Sequence, residues 1–194
     1  TIANKLIIFL FSSNVPQVID PAMLRRAGGT IEHFDRLTRR AFLSVLEKQL
    51  RDRPISAREG KDPVAARRKI VADASTFLFS PNGPDRGQVE LTFAGSTHTT
   101  IKYQRDFLTP ALLERAVQEA CMVARREECD GCEDPGLTSE AILKALQLQV
   151  RGIADQLSEF NAGIYLTLPD GARVANVRRI PQPDAHPLEL RRAS

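Results

Sequence analysis

The sequence predicts a mixed α/β chain: the C-terminal part of a parallel sheet, followed by a mostly helical unit with one or two β-hairpins. Three observations carry this. Lys5-Leu-Ile-Ile-Phe-Leu-Phe11 is apolar without alternation, as in a strand covered on both faces. Asp62-Pro63 and Thr109-Pro110 each put a capping side chain ahead of a proline at the first helical position. Val89-Glu-Leu-Thr-Phe93 alternates with period two, and after a turn-rich stretch a second extended run, Thr99-Thr-Ile-Lys-Tyr103, completes a hairpin.

Taken in order, the first strand needs partners that the rest of the chain does not supply, so they are expected upstream of Thr1. Asp35 can cap a helix through about Asp52, with Phe42, Val45, Leu46 and Leu50 on one face. The helix opened by Asp62 carries a stripe of Ile70, Ala74, Phe77 and Leu78 and stops at Ser80-Pro-Asn-Gly-Pro84. Thr109 opens a helix to about Glu128, and an acidic, glycine-containing loop follows over residues 129–136. Thr138 caps a last long helix to about Phe160, with Ile142, Leu146, Gln149, Ile153 and Leu157 along one side. Tyr165-Leu-Thr-Leu168 and residues 173–180 flank the turn signal Pro169-Asp-Gly171, a second hairpin. Two isolated hairpins are marginal in water, so they are expected to join in one small sheet that sets Val89, Leu91 and Phe93 against Val174 or Val177. The resulting division is residues 1–35, 36–180 and a flexible, proline-containing tail over 181–194.

Composition excludes several functions. The 194 residues are 42% apolar and 26% charged, which argues against disorder, and no apolar run approaches the length of a membrane-spanning helix. Three cysteines are no disulfide framework, so a reducing cytoplasm is the expected compartment. The net charge of +3 is unevenly spread: residues 36–69 carry eleven basic and four acidic side chains, and residues 119–160 four basic and nine acidic. Opposite blocks favour contacts with protein partners or other subunits over nucleic acid, and with no Trp and two Tyr there is little for single strands to stack on. The Cys129-Asp-Gly-Cys132 spacing suits redox or zinc chemistry. A metal needs about four ligands, and Cys121 is the only further cysteine. His33, His98 and His186 are scattered and read as surface or packing residues.

The chemistry-bearing stretch is Ser12-Ser13-Asn14 at the end of the first strand, followed by Ile19-Asp-Pro-Ala-Met-Leu-Arg25-Arg26. A polar amide at the carboxyl end of a parallel strand sits where such sheets bind ligands. The segment resembles the second region of homology of AAA+ ATPases, in which a strand ending in Ala-Thr-Asn or Ala-Ser-Asn is followed by Ile-Asp-Pro-Ala-Leu-Leu-Arg-Pro-Gly-Arg. The resemblance implies that Asn14 is the sensor that helps orient the water attacking the γ-phosphate. It also implies that Arg25 is a finger reaching a neighbouring subunit's nucleotide. An arginine supplied in trans is worth roughly 10³ to 10⁵ in rate.

Downstream, the helix from Asp62, the hairpin and Tyr103-Gln-Arg-Asp-Phe107 leading into a long helix are similar to the lid of the bacterial proteasome-associated ATPases (ARC/Mpa). That family has Tyr-Phe-Lys-Asp-Phe-Asn-Ser-Gly-Ala at this place. Thr109-Pro110-Ala111 stands where Ser-Gly-Ala contacts bound nucleotide. Arg173-Val-Ala-Asn-Val-Arg178 is similar to the family's last strand, so the resemblance spans residues 5–180.

The chain departs from the family at four places. Arg26-Ala27-Gly28 replaces Pro-Gly-Arg, so Gly28 occupies the second finger position and Arg26 is the residue that would substitute. Pro110 replaces the glycine. The chain ends Arg191-Arg-Ala-Ser194 in place of the Gln-Tyr-Leu-type tail that docks into the proteasome. Neither Gly-x-x-x-x-Gly-Lys-Ser/Thr nor an apolar strand ending in Asp-Glu occurs, and these are the elements that hold phosphates and Mg²⁺.

The chain begins with Thr1 and reads as a fragment of a longer protein, inactive alone. The resemblance implies a parent that binds ATP and Mg²⁺ mainly through upstream residues and assembles into a homo-oligomeric ring, a hexamer. That ring unfolds or remodels protein substrates, with a proteasome-like protease as a further partner. The alternative expectation is a non-hydrolysing AAA-derived scaffold.

Overall fold

The computed structural model describes residues 19–27, 36–80, 87–169 and 171–181. The chain divides into two compact units, Thr1–Phe34 and Asp35–Ser194. The expected strand over residues 5–11 and the position of Asn14 lie outside the described residues. In the first unit one short helix is described, α1 (Pro21–Ala27), which begins at the Asp-Pro pair: Asp20 Oδ1 accepts from the Ala22 amide at 2.7 Å, and the Met23 amide donates to the Asp20 carbonyl at 2.9 Å.

The second unit is built from helices α2 (Arg39–Leu50), α3 (Pro63–Phe79), α4 (Pro110–Cys129), α5 (Ser139–Gln156) and the single turn α6 (Ala162–Tyr165). Strands β1 (Val89–Phe93), β2 (Thr99–Lys102) and β3 (Val174–Arg179) form an antiparallel sheet in the order β2-β1-β3. The fold is thus mixed α/β, with one small antiparallel sheet among the described residues.

Three of the long helices start on caps legible in the sequence. Asp62 accepts from the Val64 and Ala65 amides, Thr109 Oγ1 from Leu112 and Thr138 Oγ1 from Ala141, each satisfying a donor that an α-helix leaves orphaned. The expected cap Asp35 lies outside the described residues, and the cap of α2 is Thr38, whose hydroxyl accepts from the Ala41 amide at 3.3 Å. Its face is as expected, with Phe42, Leu46 and Leu50 fully buried. Those residues join Ile70, Ala74 and Leu78 of α3, Leu113 and Val117 of α4, and Leu146 and Val150 of α5 in one continuous core.

The sheet closes one side of that core. Val89 and Leu91 of the central strand are fully buried, Leu91 faces Val177, and Phe93 faces Val174 after a register shift at Thr92/Phe93, so the expected joining of the strands in one sheet is found. The route differs from the expected one, because the described residues form no second hairpin. Tyr165 closes the turn α6 rather than opening a strand, and β3 pairs with β1 alone. The Pro169–Gly171 signal makes its turn, with the Ala172 amide donating to the Pro169 carbonyl at 3.0 Å and Gly171 at φ +72°. It reverses an irregular segment held by buried Leu166. Helix α5 also stops before the expected Phe160. Asn161 accepts from the Ser158 amide at 2.8 Å and donates to the Gln156 carbonyl at 2.9 Å, a local alternative to further helical bonding. Phe160 is left 90% exposed on that turn.

The loop before α5 is pinned to the loop before α3. Leu137 and Ile55 form a parallel bridge, with Ser56 N–H on the Leu137 carbonyl at 3.1 Å and Leu137 N–H on the Pro54 carbonyl at 2.9 Å. Gly136 makes this approach possible. At its φ of +156°, a Cβ would lie 2.7 Å from the Ile55 carbonyl carbon and 2.9 Å from Ser56 Cα, and neither can yield without moving backbone.

Two glycine substitutions therefore have opposite signs. Gly136→Ala should lower stability by about 1 to 3 kcal/mol. Gly152→Ala, on the exposed face of α5 with open space around it, should raise stability by roughly 1 kcal/mol. Urea unfolding of the two variants checks both signs.

Candidate functional site

The resemblance puts candidate residues on both units. In the first unit Arg25 lies exposed on α1, and Arg26 follows it on the same helix. The helix start is set by Asp20 and Pro21, so the Asp-Pro-Ala motif has a local physical role whatever else it does. Asn14, the third residue of that constellation, is outside the described residues.

In the second unit Thr109, Pro110 and Ala111 form the N-terminus of α4. Thr109 Oγ1 accepts the Leu112 amide at 3.1 Å, its carbonyl accepts from Leu113 at 3.0 Å, and Pro110 and Ala111 are exposed. Proline at this position has no N–H to offer, and the Thr109 hydroxyl is engaged by the cap. What the segment presents is the small apolar surface of Pro110 and Ala111. The stretch leading into it is held by backbone and side-chain hydrogen bonds. The Leu37 amide donates to the Leu108 carbonyl at 3.0 Å, and Tyr103 N–H donates to Asp106 Oδ2 at 2.8 Å, closing a 3-10 turn over Gln104–Phe107.

Beside that turn the fold assembles a cavity of about 160 Å³ whose rim includes Arg36, Thr38, Phe79, Lys102, Arg105 and Asp106. Its cations are held in place. Arg36 donates to the Ile164 carbonyl at 2.7 Å, Lys102 to the Thr167 carbonyl at 3.2 Å, and the Arg105 guanidinium lies 4.4 Å from the centre of the Tyr103 ring. Sequence reasoning missed this group because the three residues come from the entry to α2, the end of β2 and the 3-10 turn, which no local spacing connects. A wider groove of about 470 Å³ runs between α4 and the segment after α2, with Arg53, Cys121, Met122, Arg125 and Glu128 on its walls.

Perturbed carboxylates often mark function, and three occur among the described residues. The Ser56 hydroxyl and the Ala57 amide, aided by Arg58, hold Asp134 below the usual carboxylate range. Thr99 and then Arg178, which faces Glu90 across the β1–β3 ladder at 2.6 Å, do the same for Glu90. Burial pushes Glu59 up, but Lys69 and the Ser139 amide at 2.7 Å outweigh it and leave the carboxyl lowered. All three are explained by the joints they make between elements. Gln149, counted in the apolar stripe of α5, donates to Glu119 on α4 at 2.9 Å and is a fourth such joint. Among the described residues no group of three or more His, Cys, Asp and Glu could hold a metal ion, and no helix is long and apolar enough to cross a membrane.

No protein-family model matches the chain, and no curated protein matches it.

Two measurements test the local chemistry. Thr109→Ala should cost about 1 kcal/mol of stability through the lost cap, with Thr109→Ser retaining most of it, as read by chemical unfolding. Asp134 has a folded pKa below its unfolded one, so its contribution is complete above about pH 4 and disappears as pH falls through the lowered value. Amide exchange at Ala57 and Arg58, corrected for intrinsic rates, should hold its protection from neutral pH to about pH 4 and lose it below. Asp134→Asn should show the weakened protection throughout.

Proposed function

We propose that the chain is the C-terminal portion of an AAA+ ATPase related to the bacterial proteasome-associated ATPases, and that it contributes sensor, arginine finger and lid. The intact protein forms a homo-oligomeric, hexameric ring in the cytoplasm that couples ATP hydrolysis to unfolding or remodelling of protein substrates. A proteasome-like protease is a further partner. The observation that carries this reading is the segment Ile19-Asp-Pro-Ala-Met-Leu-Arg25 behind Ser-Ser-Asn14, with Arg25 exposed on α1. It is supported by the element order helix, strand pair, 3-10 turn, capped helix, helix, strand in the second unit.

When bound, ATP supplies the phosphoryl group and Mg²⁺ offsets its negative charge, both held mainly by residues upstream of this fragment. Within this chain Asn14 orients the attacking water. Arg25 stabilises charge developing on phosphate oxygens in the neighbouring subunit, with Arg26 in place of the second finger lost at Gly28. Thr109, Pro110 and Ala111 provide the lid's contact with the base. Preorganised cationic donors of this kind act on the transition state more than on bound nucleotide.

A scaffold reading, assembly without hydrolysis, is favoured by Gly28 and by Pro110, which has no N–H at the position where the family has glycine.

In the intact parent Arg25→Ala should reduce kcat by on the order of 10³ while leaving ATP affinity nearly unchanged. Mixing that variant with one disabled at the phosphate loop should restore part of the activity, since some junctions then pair an intact site with an intact arginine. Loss of turnover on Arg26→Ala but not on Arg25→Ala would exchange the two roles. Turnover unaffected by either substitution would remove the finger. A ring that assembles normally yet turns over no ATP would leave the scaffold.

A further inference from the structure

The Cys129-Asp-Gly-Cys132 pair has no part in the reading above, and its local structure is specific. Helix α4 ends at Cys129, and Gly131, at φ +81°, reverses the chain. The Gly131 amide donates to the Glu128 carbonyl at 3.1 Å and the Cys132 amide to the Glu127 carbonyl at 2.9 Å, the two bonds of a Schellman termination. The two cysteines therefore flank one tight turn. Both are free thiols; Cys129 is exposed and Cys132 partly so. The Arg58 guanidinium reaches Cys132 Sγ at 3.7 Å from across the loop joint, and its side chain is itself anchored by Asp134 at 3.8 Å. Accessibility at Cys129, an arginine contact at the partly exposed Cys132 and a hydrogen-bonded turn between them are three separate features of a dithiol modification site.

The geometry points to a reversible redox site in which Cys129 and Cys132 are oxidised to an intramolecular disulfide by exchange with a low-molecular-weight disulfide such as oxidised glutathione. In the first step the exposed Cys129 thiolate attacks one sulfur of the reagent. A mixed disulfide forms and one glutathione thiolate leaves. In the second step the Cys132 thiolate attacks the Cys129 sulfur and expels the second glutathione thiolate. The two protons given up by the cysteines go to the two leaving thiolates, and the two electrons lost by the protein reduce the reagent. Closure withdraws Cys132 from Arg58, so the modification acts on the loop joint in front of α5.

The test uses the full chain in a Cys121→Ser background, so that only the pair can react, with oxidised glutathione as the probe and intact mass plus peptide mapping as readout. The expected product is a protein lighter by two hydrogens, with Cys129 and Cys132 in one disulfide-linked peptide, restored by dithiothreitol. Cys132→Ser should stop at a stable glutathione adduct on Cys129. Stable separate adducts on Cys129 and Cys132 of the pair-containing protein would overturn the site. So would a pair that stays reduced while Cys132→Ser takes up glutathione, or a failure of both proteins to react.

Discussion

The joint between the loop that precedes α3 and the loop that precedes α5 is the constraint on which the helical packing of the second unit depends. At Asp134 one carboxylate accepts from the Ser56 hydroxyl at 2.7 Å and from the Ala57 and Arg58 amides at 2.8 and 3.0 Å. Hydrogen bonds to an ionised acceptor are the stronger kind, and here they replace water around backbone donors that no helix or strand satisfies. Immediately after it, Gly136 lets the Ile55–Leu137 bridge form. Glu59 then crosses to the first residue of α5, where it accepts the Ser139 amide while holding Lys69 of α3. Asp73 of α3 takes the Ser139 hydroxyl at 3.0 Å. The starts of α3 and α5 are thereby fixed to each other before any side chain of the core is counted.

That registration decides where the apolar faces meet. With α3 and α5 set, Ile70, Ala74 and Leu78 face Ile142, Leu146 and Val150 in one core, α4 lies against α5 through Gln149 and Glu119, and β1 adds Val89 and Leu91. The last strand is tied down at two levels: Arg178 pairs with Glu90 of β1, and Arg179 bonds the carbonyl and carboxylate of Asp155 near the end of α5. The N-terminus of α4, which carries Thr109, Pro110 and Ala111, inherits its position from these contacts and from the Leu37–Leu108 bond.

How much of this was legible follows from the range of each interaction. Capping is local, so Asp62-Pro63, Thr109-Pro110 and Thr138 announce their helices from sequence alone, and period-two alternation announces β1. The misreadings are non-local or competitive. Tyr165-Leu-Thr-Leu168 has strand-like residues, but β1 already offered β3 its free edge, so a hairpin had nothing to gain. Phe160 continues a helical pattern that Asn161 interrupts with its own hydrogen bonds. Arg36, Lys102 and Arg105 meet around one cavity through tertiary folding only. Of the candidate site, the Asp-Pro-Ala helix and the capped start of α4 were readable as structure. The roles given to Asn14, Arg25 and Arg26 rest on resemblance, because an exposed arginine has no local signal that separates a finger from a solvated side chain.

The loop joint, more than any single helix, sets α3 against α5 and both against α4. Amide exchange across the whole chain, comparing the wild type with Gly136→Val, tests it most directly. Breaking the joint should remove protection in concert at Ala57 and Arg58, in the first turns of α3 and α5, and at Gln149 where α5 meets α4, while the β1–β3 ladder keeps the protection of global unfolding. Faster exchange confined to residues 130–138, with α3 and α5 unchanged, would contradict it and leave the joint a passive connection between helices that pack without it.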